Sequence, residues 1–164
     1  MARSPSGSGP DPAITEITRV TEATPPPVGI VVVSHSAEVA DATVRLVAQL
    51  ANLPDDGPRL IAAGGLSDGS VGTDAVRIAD AMARADAGSG VVVLADLGSA
   101  VLSAATAIEE LLAPDQAGRV VISRGPLVEG AFVAAVQASA GDALDGVRAA
   151  ADEAASMDKL GDRG

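Results

Sequence analysis

From Val28 onward the chain alternates short runs of Val, Ile, Leu and Ala with longer stretches whose apolar residues recur every three or four positions. The runs are VGIVVV (28–33), RLIAA (59–63), VVVLA (91–95) and RVVIS (119–123). The first stretch between them is EVADATVRLVAQLA (38–51), with Val39, Ala42, Leu46 and Leu50 on one face. The second, DAVRIADAMARADA (74–87), has Thr73 placed to cap it, and the third, AVLSAATAIEELLA (100–113), is ended by Pro114. After the fourth run, Pro126 suits the first turn of a helix over 127–139, and Gly141 parts it from a last helix over 143–157. Runs this apolar need cover on both faces, which makes them strands of a parallel sheet rather than of a half-wet antiparallel one. The expectation is an α/β fold: a doubly wound, mainly parallel four-stranded sheet of order 2-1-3-4 with helices on both faces. The pattern leaves room for an extra edge strand, swapped between copies or antiparallel.

Residues 28–157 carry this pattern. Residues 1–27 are rich in Pro, Ser and Gly, end in TPPP (24–27), and read as a flexible arm. Within the arm, AITEITRVTEA reads as solvated tail, with a short helix or strand against a partner as the alternative, and 158–164 reads as a frayed tail. With 164 residues and 48% apolar content the chain can bury one proper core. Phe132 is the only aromatic residue, so that core is built from Val, Ala, Leu and Ile. The net charge of -11, with ten Arg and one Lys (Lys159), excludes the electrostatic footprint of a nucleic-acid or anionic-membrane binder. Zero cysteine removes thiolate nucleophiles, disulfides and most structural zinc sites. No run approaches the roughly 20 apolar residues of a spanning helix, and MARSPSGSGPDP lacks the apolar centre of a signal peptide, so the expected location is the cytoplasm.

In such a sheet ligands gather beyond the carboxyl ends of the strands, where the strand order reverses. Order 2-1-3-4 puts that crevice between strands one and three. Ser34-His35-Ser36 follows strand one, Asp96-Leu97-Gly98-Ser99 follows strand three, and the glycine-rich GGLSDGSVGT (64–73) opens beside them. His35 is the only histidine of the chain. A lone histidine is commonly a solvated or hydrogen-bonded residue at a helix start, and that reading stands beside the functional one. Ser36 or Ser34 can cap the following helix, whose free N–H groups and positive dipole end then welcome an anion beside the imidazole. A phosphoryl group on the ring would meet those donors and the residues Ser34, Ser36, Thr73, Gly98 and Ser99.

Imidazole is a competent nucleophile near neutral pH and forms a reactive nitrogen–phosphorus bond. A carboxylate on one ring nitrogen fixes the tautomer and exposes the other. Asp96 is the best placed, with Asp74 and Asp68 behind it; the competing reading of Asp96 is a loop carboxylate that caps the next helix. One histidine among scattered carboxylates offers no spaced metal-ligand set. The glycine-rich loop lacks a Gly-Lys-Ser/Thr ending, LGSAV is no G-x-S-x-G elbow, and a receiver-like phospho-aspartate would want an acidic pair after strand one.

Four stretches in order, VGIVVVSHSAEVADATVRLVAQLA, IAAGG with VGTDAVRIADAM, VVVLADLGSAVLSAATAIEEL and GPLVEGAFVAAVQASAG, resemble the phosphocarrier (DhaM) subunits of phosphoenolpyruvate-dependent dihydroxyacetone kinases, from about Val28 to Met157. The region is also similar to the EIIA domain of mannose-type sugar phosphotransferase systems, and the G-T-D-A and G-S-A segments favour the dihydroxyacetone system. The resemblance implies a phosphotransferase subunit that needs no cofactor. HPr, charged by enzyme I, would phosphorylate His35; His35 would pass the group to ADP held on DhaL, which serves dihydroxyacetone bound to DhaK. It also implies a homodimer. The Pro-rich arm has no counterpart in that family, and no HPr-like or enzyme I-like domain follows Met157, so a separate donor is expected. Two other functions fit the same residues: an EIIA component of a sugar transporter, and a non-catalytic module that binds a small anion for regulation.

Overall fold

The computed structural model describes Met1 and residues 24–161. The segment AITEITRVTEA and residues 162–164 lie outside the described residues. Strands β1 (Gly29–Ser34), β2 (Leu60–Gly64), β3 (Val91–Ala95) and β4 (Val120–Ile122) form one sheet in the order β2-β1-β3-β4, every neighbouring pair parallel. This is the order expected from the residue pattern. β1 is buried along its whole length, which is why six consecutive positions tolerate no charge.

Alternation along the strands splits the core in two. Val31, Val33, Val91 and Val93 pack with Ile78 and Met82 of α2 (Ala75–Ala85) and with Ala100 and Ala104 of α3 (Gly98–Thr106). Ile30, Val32, Val92 and Leu94 face the other way, onto α1 (Ala37–Leu50), α5 (Leu127–Ser139) and α6 (Leu144–Glu153) through Ala40, Val47, Ala131, Ala135, Val147 and Ala151. The sheet is thus covered on both sides, as a parallel sheet requires.

Several local expectations are corrected. On α1 the buried side chains are Ala40, Thr43 and Val47, while Val39, Ala42, Leu46 and Leu50 are exposed. The reason is proximity: a Cβ at Gly64 on β2 would lie 2.5 Å from the Ser36 carbonyl oxygen and 2.9 Å from the Ala40 Cβ. At that approach the facing positions must be small, and the bulkier stripe turns outward. Thr73 does not cap α2; Asp74 does, accepting from the N–H groups of Val76 and Arg77.

The third helix starts at Gly98 and passes into a π turn at Ala107–Leu111. Pro114 then opens the short α4 (Pro114–Ala117), where its fixed φ and missing N–H cost nothing. In the tail expected to fray, Lys159 forms an ion pair with Glu129 of α5. Among the described residues no helix is long and apolar enough to cross a membrane.

Candidate active site

The register that pairs Val33 with Ala95 brings the next residues of β1 and β3 together at the top of the sheet. One further backbone bond, from the Asp96 N–H to the Val33 carbonyl at 3.1 Å, carries the pairing past the strand end. Beyond it the chain turns into α1 on one side and α3 on the other, so both helices begin at the same place. Ser36 caps α1 by accepting from the Val39 N–H at 3.2 Å and donates its hydroxyl to Glu38 at 2.7 Å.

Asp96 holds His35 at two points and gathers two further donors beside it. Its Oδ2 accepts from the Ser34 hydroxyl and from the His35 backbone N–H, both at 2.9 Å. Its Oδ1 lies 2.9 Å from the His35 Nδ1 and accepts from the Leu97 N–H at 2.7 Å. With a carboxylate on Nδ1, that nitrogen carries the proton and the lone pair resides on Nε2. Nε2 meets the Ser99 hydroxyl at 2.7 Å, so in this tautomer Ser99 donates. The side chain keeps 22% of its surface in solvent, so the ring is partly open to another protein.

Burial pushes the Asp96 carboxyl up, but the His35 N–H, the imidazole and the Ser34 hydroxyl together outweigh that and hold its pKa below the ordinary carboxylate range. It is therefore a permanent anion beside the ring at neutral pH.

The remaining candidates from the sequence are distributed as follows. Gly98 is the first residue of α3, and its N–H and that of Ser99 belong to the first turn, where no intrahelical acceptor exists. Gly72, in the glycine-rich loop, donates to the His35 carbonyl at 2.9 Å and ties that loop to the site. Thr73 shares a 2.7 Å hydrogen bond with Ser103 of α3 rather than with the ring. Of the fallback carboxylates, Asp74 caps α2 and Asp68 holds a tight turn through the N–H and hydroxyl of Ser70. Asp96 does not cap α3; the residue before that helix, Leu97, supplies no side-chain bond.

Two residues went unremarked in the sequence. Ser103 lies one helical turn after Ser99, a spacing that puts both hydroxyls on one face. Arg124 lies just past β4, at the same end of the sheet as His35, and strand order alone would have nominated it.

A doubly wound sheet whose sole imidazole is clamped by a carboxylate at the switch point defines a class of domain, the IIA-type component of phosphotransferase systems. The EIIA-man family profile, described as PTS system fructose IIA component, matches residues 29–148, and the chain belongs to that family.

Among individual relatives, it is 39% identical over 110 residues to "PEP-dependent dihydroxyacetone kinase 2, phosphoryl donor subunit DhaM" of Listeria innocua, covering 67% of this chain and 85% of that one. It is 38% identical over 129 residues to the phosphoryl donor subunit DhaM of Providencia stuartii, covering 77% of this chain and 26% of the relative. The Escherichia coli DhaM matches at 39% over 122 residues, 73% of this chain and 25% of the relative. The chain thus spans about a quarter of the length of the latter two relatives. A crystal structure of a protein of unknown function matches with TM-score 0.67 and 36% identity, covering 77% of this chain and 93% of that one.

Proposed function

We propose that the chain is the phosphohistidine carrier of a dihydroxyacetone phosphotransferase system. In this reading HPr, charged by enzyme I from phosphoenolpyruvate, phosphorylates His35. His35 then passes the group to ADP held on DhaL, for transfer to dihydroxyacetone bound to DhaK. The chain acts as a cytoplasmic homodimer and needs no cofactor of its own. The observation that carries the reading is the clamp on His35, which commits Nδ1 to Asp96 and leaves Nε2 on the exposed Ser99 hydroxyl.

The chemistry follows from that clamp. The Nε2 lone pair attacks phosphorus in line with the departing donor nitrogen, whose bond electrons leave with the donor. As the new N–P bond forms, the ring gains positive charge, and the Asp96 carboxylate 2.9 Å from Nδ1 balances it. Ser99, which donates to the free Nε2, gives way and serves the phosphoryl oxygens instead, beside the first-turn N–H groups of Gly98 and Ser99. In the second step the same bond breaks, the electron pair returns to Nε2, and a terminal oxygen of ADP takes the phosphoryl group.

The test is incubation with radiolabelled phosphoenolpyruvate, enzyme I and HPr. Wild type should take up acid-labile, base-stable label and surrender it to DhaL loaded with ADP, and His35→Ala should fold normally and take up none. A wild-type protein that stays unlabelled overturns the reading. Label that enters but does not pass to DhaL favours the sugar-transport component to which the family's description points.

A further inference from the structure

Next to Asp96, the carboxylate that holds the imidazole, a cavity of about 540 Å³ opens between the loops that follow β3 and β4. Its charged lining consists of Asp96, Arg124, Glu129 and Lys159. Three of these are committed: Asp96 to His35 and Ser34, and Glu129 and Lys159 to each other. Arg124 is exposed, and among the described residues its guanidinium enters no ion pair or hydrogen bond. Only its backbone is held, by the N–H donated to Asp152 of α6 at 2.7 Å. In a chain of net charge -11, one uncommitted cation therefore lines the cavity that is bordered by Asp96, which holds the ring, and by Gly98, which opens α3.

The two half-reactions of a phosphoryl relay differ in what they bring together. Loading delivers one phosphoryl group to a neutral imidazole. Unloading brings a nucleoside diphosphate against a ring that already carries phosphate, so two anions must approach within bonding distance and repel each other. A guanidinium over that cavity offsets the repulsion and offers a planar fork that matches phosphate oxygens.

We propose, resting on the carrier function above, that this cavity receives the phosphates of the acceptor nucleotide and that Arg124 binds them, so that Arg124 selects the acceptor step over the donor step. The assignment concerns binding of the nucleotide while it is held on the partner protein. The bond that breaks remains His35 Nε2–P and the bond that forms is from phosphorus to a terminal diphosphate oxygen.

The experiment measures the two half-reactions separately on the full chain, for wild type, Arg124→Ala and Arg124→Lys. Because the side chain supports no other group, the variants should fold as wild type does. Arg124→Ala should lose about tenfold or more in kcat/KM for transfer to ADP-loaded DhaL, the loss expected for a hydrogen bond to a charged group, with HPr loading unchanged. Arg124→Lys should recover part of the loss, since it keeps the charge and loses the fork. Equal slowing of both halves would mean that Arg124 serves the phosphorylated ring rather than the nucleotide, and no slowing would mean that it serves neither; either result overturns the proposal. Failure of wild type to take up phosphate is separate and strikes the carrier reading itself.

Discussion

Asp96 is the residue on which the site depends, because four donors converge on its two oxygens and one of them is the imidazole. Asp96→Asn removes the charge and frees the ring to adopt the other tautomer, so phosphoryl uptake should fall about 100-fold while the fold persists. The carboxyl has a folded pKa below its unfolded value of about 3.9, so its contribution to stability is complete above that value and is lost as pH falls through the folded one. Urea midpoints of wild type and Asp96→Asn should therefore differ at pH 7 and begin to converge only as pH falls below about 4; a constant gap would refute this. His35, Asp96 and Ser99 were legible in the sequence because strand order alone makes the loops after β1 and β3 neighbours. Thr73 and Asp74 were not, since a one-residue shift in where α2 begins exchanges the cap for its neighbour.

The elements were legible from periodicity and their contacts were not. A helix over residues 38–51 follows from its spacing, yet the face it buries was set by how closely it approaches Gly64, a distance that no pattern records. The same kind of approach fixes the loop after β4. A Cβ at Gly125 would lie 1.9 Å from the Ala151 carbonyl oxygen of α6, whose Asp152 also gathers the Ser123 hydroxyl, the Arg124 N–H and Arg148. Gly125→Ala should cost about 2 kcal/mol or more and lower the melting temperature by several degrees. Gly118→Ala, whose nearest neighbour would be the Pro114 carbonyl at 3.5 Å, should leave it unchanged. Thermal denaturation of the pair distinguishes backbone crowding from a general intolerance of alanine.

For the molecule as a whole, the excess of acid reaches farther than any contact. A net charge of -11 should steer a basic partner face into encounter, so the rate of phosphoryl exchange with HPr should fall as salt rises from about 50 to 500 mM. A rate indifferent to salt would assign recognition to short-range packing. One further consequence follows from a ring pinned through Nδ1 and exposed over only 22% of its surface. A turnstile admits one visitor at a time: supplier and recipient cannot both stand at the imidazole, so each must depart before the other arrives. Steady-state measurements that vary both proteins should therefore give parallel double-reciprocal lines, the signature of a courier that never hosts sender and addressee together.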